Sequence, residues 1–351
     1  MVGFRQMLKL VVEQGATLSR EEARVVIAQI LAPVEGEEPP GDLEIGALLT
    51  AMAVRGETPD ELTGVVEAMR ALAVPVPLTE GEREPLVDTC GTGGDGLGTF
   101  NISTGAALVA VAAGAHVAKH GNRAVTSQCG SADVLEALGI PVTLAPESAV
   151  ACLRATGFMF LYAPALHPAL KRVQPVRRTL GFRTIFNLAG PLTNPAGAPA
   201  QVMGVFSETK LMLSAEAMAR LRIDFGLVAH GRNGMDEIAL SVTDVMLVRG
   251  GDGHPSVSRV KYSPEMFGMK RAPVRELRGG ANAAENAAIL ERIFAGERGA
   301  KRNIVVVNAA AALFVGRVAG SLEEGVQLAS AAIDSGAVRR KLTQLREFGK
   351  S

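Results

Sequence analysis

Asp88-Thr-Cys-Gly-Thr-Gly-Gly-Asp-Gly-Leu-Gly-Thr-Phe-Asn-Ile-Ser-Thr104 sets a glycine-rich loop, a lone carboxylate and a row of hydroxyl and amide groups ahead of a small-residue helix. Backbone that lacks Cβ atoms can bring its N–H groups close to a phosphate and tolerates φ > 0. Asp95 in the middle would repel a bare phosphate, so it needs a sugar hydroxyl or a metal ion beside it. The loop therefore reads as a site for a phosphorylated sugar, against the plainer alternative of a tight turn without ligand. Gly91-x-Gly93-x-x-Gly96 also satisfies the dinucleotide fingerprint. That site requires an acid about 20 positions later, at the end of the next strand. Residues 105–118 are small and apolar and offer none, and no Gly-Lys-Ser/Thr closes a Walker loop.

Working outward, the chain after Leu78 alternates short β-branched runs with Ala/Gly-rich segments. Gly157-Phe-Met-Phe-Leu-Tyr162, Val202-Met-Gly-Val-Phe206, Phe225-Gly-Leu-Val-Ala229 and Ile304-Val-Val-Val307 read as buried strands with helices between them. The Gly loop should lead into a helix over 105–113, Ser131 should cap a short helix ending at Gly139, and Gly157 should end one that starts near Pro146. Continuous apolar strands alternating with helices indicate an α/β unit with a mostly parallel sheet covered on both faces. Before Leu78 the texture is helical. Ser19-Arg-Glu-Glu22 and Thr58-Pro-Asp-Glu61 fit the capping box, Asp42 can cap a third helix, and Gly56 ends it. The acids, prolines and glycine of residues 33–41 make a loop. So small a helical unit has a marginal core and needs a partner, either another subunit or the rest of the chain. Residues 164–195 interrupt the α/β pattern with a basic, proline-bearing stretch that returns to the helical unit. The division is thus 1–76 with 164–195 as a helical domain, and 77–163 with 196–351 as the α/β domain.

With 351 residues, 48% of them hydrophobic, the chain can bury a large core in two domains. Its net charge of zero removes the electrostatic case for nucleic acid or an anionic membrane as partner. Cys90, Cys129 and Cys152 have no metal or redox spacing, which fits a reducing compartment, and Cys90 reads as a small buried thiol. Residues 1–18 lack a cleavable apolar core, and the longest apolar run, 106–118, is too short to span a bilayer. These features lead us to expect a cytoplasmic protein.

Four groups accompany the loop. Asn101-Ile-Ser-Thr104 precedes a helix whose N-terminal N–H groups and dipole attract anions. Lys119-His-Gly-Asn-Arg123, with Thr126, Ser127 and Ser131, suits a second phosphate or a ribose, or else a solvated basic turn. His116 and His120 stand four apart as in zinc helices, but the Glu and the third ligand are missing. Asp236-Glu237 offers hard oxygen ligands for Mg²⁺ shared with a diphosphate, although adjacent surface acids are common. Finally, His167-Pro-Ala-Leu-Lys-Arg172 through Val176-Arg-Arg-Thr-Leu-Gly-Phe-Arg183 offers guanidinium groups for a planar carboxylate, or a solvated face.

Together these pieces resemble the anthranilate phosphoribosyltransferases of tryptophan biosynthesis. The resemblance rests on Gly91-Thr-Gly-Gly-Asp95, Asn101-x-Ser-Thr104, Lys119-His-Gly-Asn-Arg123, Gly130-Ser-Ala-Asp-Val-Leu-Glu136, Arg183-Thr-Ile-Phe-Asn187 and Asp236-Glu237, and runs from the N-terminal helices to Gly320-Ser-Leu-Glu-Glu-Gly325. It implies a small helical domain plus an α/β domain with the active site in the cleft between them, a homodimer joined through the helical domain, and two Mg²⁺ ions. Phosphoribosyl diphosphate would meet Gly91, Gly94, Asp95, Thr99, Asn101, Ile102, Ser103, Thr104, Lys119, His120, Gly121, Asn122, Arg123, Ala124, Val125, Thr126, Ser127 and Ser131. Ser103, Asp236 and Glu237 would hold the metal. Gly91, Asn122 and Arg177 would meet anthranilate, with His120 and His167 along its route, and no residue acts as covalent nucleophile or required base. Gln128-Cys129, Ala281 and the longer 33–41 loop depart from the family pattern; the first two bear on diphosphate affinity and the last on the dimer region. A pyrimidine-type nucleoside phosphorylase is the competing enzyme, disfavoured by Asn101-x-Ser-Thr104, Arg177 and Asp236-Glu237. A silent relative that binds nucleic acid would need a broad basic surface, which net neutrality argues against.

Overall fold

The computed structural model describes residues 3–33, 36, 38–124, 129–250 and 255–350. Four N-terminal helices, α1 (Phe4–Gln14), α2 (Arg20–Leu31), α3 (Asp42–Arg55) and α4 (Pro59–Ala71), form the first unit. Ser19 and Thr58 cap α2 and α4 in reciprocal capping boxes with Glu22 and Glu61. Glu61 also reaches beyond its own helix. It is fully buried, accepts from the Leu18 N–H at 2.9 Å and pairs with Arg55. At α3 the cap is Gly41 and Asp42 is the first helical residue, one position from the expectation, with Glu44 reaching back to the Gly41 N–H.

The second unit is built on a seven-stranded sheet ordered β3-β2-β1-β4-β5-β6-β7. Its strands are β1 (Leu86–Gly91), β2 (His116–Gly121), β3 (Phe158–Tyr162), β4 (Ala200–Gly204), β5 (Phe225–Gly231), β6 (Thr243–Arg249) and β7 (Ser256–Tyr262). The first five are parallel, and β6 and β7 add antiparallel strands at one edge. Strand alternation sorts side chains between the faces. Val87, Val117, Phe158, Val202 and Leu227 pack under the helices Ile102–Ala112 and Ala300–Val315. Met203, Val205, Val228 and Met246 face the opposite way and share one core with α1 to α4. The strands are apolar on both sides because both sides are covered.

Residues 163–193 form short helical pieces, and Val173, Val176, Ile185, Phe186 and Leu188 join that core with the N-terminal helices. Ion pairs Lys210–Glu57 at 2.6 Å and Arg220–Asp60 at 3.1 Å also tie the units together. No helix among the described residues is long and apolar enough to cross a membrane.

One expected strand is absent. Ile304-Val-Val-Val307 lies inside the sixteen-residue helix Ala300–Val315. A short apolar run has no periodicity that separates a buried strand from a buried helix. Asn308-Ala-Ala-Ala-Ala312, the run that follows, carries the highest helix propensity and extends the segment beyond strand length. The helix starting after the Gly loop begins at Ile102, three residues before the expected Gly105, and the helix at Ser131 is capped by Gly130.

Candidate active site

β1 and β4 are neighbours, yet the chain leaves β1 toward β2 and returns to β4 from the other side. This makes their C-terminal ends a topological switch point, where open α/β sheets bind ligands. Gly91 and Gly204 stand opposite each other there. A Cβ on Gly91 would lie 2.5 Å from Asp236 Oδ2, and one on Gly204 would lie 1.5 Å from the Asp236 carbonyl oxygen. Two glycines at strand ends thus open the space into which the Asp236-Glu237 segment descends from β5.

The loop over 92–101 wraps this point. The Thr92 N–H donates to the Gly204 carbonyl at 2.9 Å, and the Gly93 N–H donates to Asp236 Oδ2 at 2.7 Å. The Ser103 N–H dipole acts on the Glu237 carboxyl, favouring its charged form. The acidic doublet therefore faces both the Gly loop and the first turn of the helix Ile102–Ala112, which carries Ile102, Ser103 and Thr104 behind the cap Asn101. Asp95 Oδ1 accepts from the Leu97 N–H at 3.0 Å while its Oδ2 is buried without a hydrogen-bond partner. Thr99 pairs with Arg278, and Gly279 donates to the Gly98 carbonyl at 2.9 Å, so a distant segment braces the loop's far end. Arg183 stacks on Phe206, 3.9 Å from the ring centroid, and donates to the Gly94 carbonyl.

Burial shapes the charges. Desolvation pushes the Asp236 carboxyl up to about 7, with the charge of Asp95 adding to it. Desolvation and then Asp236 hold Glu237 well above the usual carboxylate range. Lys119, 2% exposed, donates to the Thr89 carbonyl and to Ser103 Oγ at 3.3 Å. Burial pulls its ammonium below the ordinary value, opposed by Asp88. The site thus holds facing carboxylates short of countercharge. Among the described residues no three His, Cys, Asp or Glu side chains form a closed metal cage. Two carboxylates facing a glycine loop are the kind of donor set Mg²⁺ uses, since that ion takes one or two carboxylates and completes its shell with water and substrate phosphates.

The remaining residues sit around this centre. β2 ends at Gly121, and Asn122 accepts through its carbonyl from Ser131 Oγ at 3.2 Å and the Ala132 N–H at 3.1 Å. The Ala124 N–H is held by Asp133. Arg123 is committed elsewhere: it pairs with Glu136 at 2.6 Å and Asp133 at 3.2 Å. Val125, Thr126 and Ser127 lie outside the described residues, as does Gln128. Asn101 Nδ2 donates to the Cys129 carbonyl at 3.1 Å, leaving its buried Oδ1 unpartnered. His120 and His167 meet edge to face at 5.1 Å, each with a buried Nε2 that has no partner. Desolvation drives His120 down to about 3 and lowers His167, so both stay neutral near pH 7. His116 lies on the same extended strand as His120, about 13 Å away at four strand residues. Arg177, half-buried, sits 5.5 Å from the Phe186 ring and is lowered by desolvation.

Beside Arg183 a cavity of about 390 Å³ opens between the units, lined by Ala53, Glu57, Thr184, Leu188, Phe206 and Lys210 as well. Sequence reading gives no part to Gly204 or Asn308. A glycine inside the apolar run Val202-Met-Gly-Val-Phe206 was the available signal, because such a residue marks close backbone approach. Nothing in the sequence marks Asn308, whose partner Ile238 lies 70 positions away.

Comparison with known proteins agrees with this arrangement. Residues 5–73 match the helical bundle domain, and residues 83–339 the a/b domain, of a glycosyl transferase family. Anthranilate phosphoribosyltransferase from Pelotomaculum thermopropionicum is 48% identical, covering 98% of this chain and 96% of its own length. That from Methanosarcina acetivorans is 46% identical over 99% of this chain and 90% of its own. The crystal structure of the Thermus thermophilus enzyme superposes with a TM-score of 0.88 at 42% identity, covering 98% of this chain and 99% of that one. The Saccharomyces cerevisiae enzyme in complex with PRPP and Mg shares the fold at a TM-score of 0.87 and 24% identity, covering 99% and 98%. With the helical bundle, the switch-point cleft and whole-length similarity in agreement, the chain belongs to the anthranilate phosphoribosyltransferase family.

Proposed function

We propose that this protein transfers the phosphoribosyl group of 5-phosphoribosyl 1-diphosphate to the amine of anthranilate, giving N-(5-phosphoribosyl)anthranilate and diphosphate. The observation that carries the reading is the contact of the acidic doublet with the Gly loop, Gly93 N–H to Asp236 Oδ2 at 2.7 Å. Carboxylates crowded against a phosphate cradle are explicable when a cation and a diphosphate enter together. Asp236, Glu237 and Ser103 would hold the Mg²⁺, as two ions, and the metal supplies charge neutralisation for the leaving diphosphate.

The protein's own groups do the rest. The helix N-terminus at Asn101 to Thr104 donates hydrogen bonds to the diphosphate, and Lys119 behind Ser103 adds positive potential. Gly91, Gly94, Asp95, Thr99 and residues 119–124 with Ser131 would surround the phosphoribosyl moiety. Arg177, together with Gly91 and Asn122, orients anthranilate by its carboxylate, and neutral His120 and His167 line its approach. An arylamine is unprotonated near pH 7, so the nucleophile needs orientation more than a base. Positioning of this kind supplies up to about 7–11 kcal/mol.

We further propose a cytoplasmic homodimer joined through the helical unit. Leu43 and Val54, 91% and 83% exposed, lie eleven residues apart on one face of α3 and suit a covered surface. Three free cysteines suit a reducing compartment. Anthranilate fluorescence tests the reaction directly. It should fall only when protein, phosphoribosyl diphosphate and Mg²⁺ are all present, and an unchanged signal in the complete mixture would overturn the assignment.

A further inference from the structure

We infer that Asn308 is a positioning residue that fixes the Asp236-Glu237 doublet relative to the phosphate cradle. This rests on the proposed metal role of the doublet. The segment between β5 and β6 that carries the doublet has no regular secondary structure. The contact of Gly93 engages a carboxylate oxygen of Asp236, the same kind of atom a cation would use. A separate device is therefore needed to hold the backbone while that oxygen changes partners.

Asn308 supplies it. Its side chain pairs with the peptide groups of the residue next to Glu237, Oδ1 accepting from the Ile238 N–H at 3.0 Å and Nδ2 donating to the Ile238 carbonyl at 2.9 Å. The second Nδ2 hydrogen goes to the Ile304 carbonyl of its own helix at 2.9 Å, so both donors of this 3%-exposed carboxamide are used. A buried amide at mid-helix costs free energy unless fully paired, which makes the pairing specific and hard to replace.

The same helix also supports the cradle. One turn earlier, Val305 approaches Gly105 at the start of the cradle helix, with Cγ2 3.4 Å from where a Cβ on Gly105 would lie. One rigid helix thus references the carboxylates through Asn308 and the phosphate-binding turn through Val305. Ligand groups held by such outer partners typically lose 10–100-fold in metal affinity when the partner is removed.

The test is calorimetric titration of phosphoribosyl diphosphate into the intact protein at several Mg²⁺ concentrations. Asn308→Ala should raise the Mg²⁺ concentration for half-maximal binding about tenfold or more, with KM for anthranilate unchanged. Leu313→Ala, on the same helix, should lower the melting temperature without moving the Mg²⁺ midpoint. If Asn308→Ala does not fold, Asn308→Ser, neutral and with a hydroxyl that can still hydrogen-bond, should shift the midpoint in the same direction by a smaller factor. An unshifted midpoint in the folded variant, or equal shifts for Asn308→Ala and Leu313→Ala, would overturn the assignment. Asp236→Ala/Glu237→Ala, run in parallel, separates the two levels. Loss of Mg²⁺-dependent binding there with none in Asn308→Ala sinks this inference alone, whereas intact binding in the double variant sinks the metal reading itself.

Discussion

The Gly93 N–H and Asp236 Oδ2 meet at 2.7 Å although 143 positions separate them in the chain. That approach exists because the neighbouring strand ends carry no side chains. A Cβ at Gly204 would lie 1.5 Å from the Asp236 carbonyl oxygen, so Gly204→Ala must push the doublet away from the loop. Displacement by an ångström is enough to lower turnover by about 10²-fold. The variant should show a native far-ultraviolet dichroism spectrum with that loss in kcat/KM, and near-normal kinetics would contradict the close-approach argument.

The doublet should leave a signature in stability against pH. Asp236 titrates at about 7 in the folded protein against an ordinary 3.8. The folded state thus binds the extra proton between those values, and this group's contribution to stability falls as pH rises toward 7. His120, held down to about 3 by burial, acts in the opposite direction below its ordinary 6.5. Comparing wild type with Asp236→Asn cancels the histidine. The variant should gain on wild type between about pH 5 and pH 8 by an amount on the order of a few kcal/mol, since a tenfold difference in proton affinity between the folded and unfolded states is worth about 1.4 kcal/mol. Urea melts at both pH values measure it, and a pH-independent difference would argue against the raised carboxyl.

Arg177 has no acidic partner among the hydrogen bonds and ion pairs of the described residues, and burial disfavours its charge. A planar carboxylate arriving there regains that loss. Arg177→Ala should raise KM for anthranilate about 10–100-fold, the worth of a charge-assisted contact, while KM for phosphoribosyl diphosphate stays within a factor of two or so. Steady-state kinetics with each substrate varied separates these outcomes, and equal rises would remove Arg177 from the acceptor site.

Arg183 holds the loop from outside, stacked on Phe206 and bonded to the Gly94 carbonyl. Lysine cannot reproduce a planar stack with a directed donor. Arg183→Lys should raise KM for phosphoribosyl diphosphate by about 3–10-fold and leave KM for anthranilate unchanged. The reverse pattern would assign Arg183 to the acceptor.

The architecture was legible wherever local chemistry decided it. Ser19 and Thr58 announced their helices because a capping box satisfies orphan N–H groups within four residues. Gly157, φ 79°, ended its helix for an equally local reason. The glycine loop, the helix start behind it and the acidic doublet were all readable as chemistry. Long-range effects were not. Ile304-Val-Val-Val307 has strand composition and becomes helix through burial on all sides, and the antiparallel edge of β6 and β7 follows from pairing that no local pattern encodes. The ion pairs of Arg123 with Asp133 and Glu136, ten and thirteen positions later, are likewise set by the fold and not by any local pattern. Asn308 pairs across 70 positions with a loop peptide, a relationship visible only in three dimensions.

The most direct test of the shared site is the initial rate of anthranilate fluorescence loss in wild type and in Asp236→Ala/Glu237→Ala, each with Mg²⁺ varied at saturating phosphoribosyl diphosphate. If the doublet and the glycine cradle hold one metal-bridged diphosphate, the double variant loses at least about 10²-fold in rate and its remaining activity no longer follows the wild-type Mg²⁺ curve. Rates and Mg²⁺ midpoints equal to wild type would contradict the account.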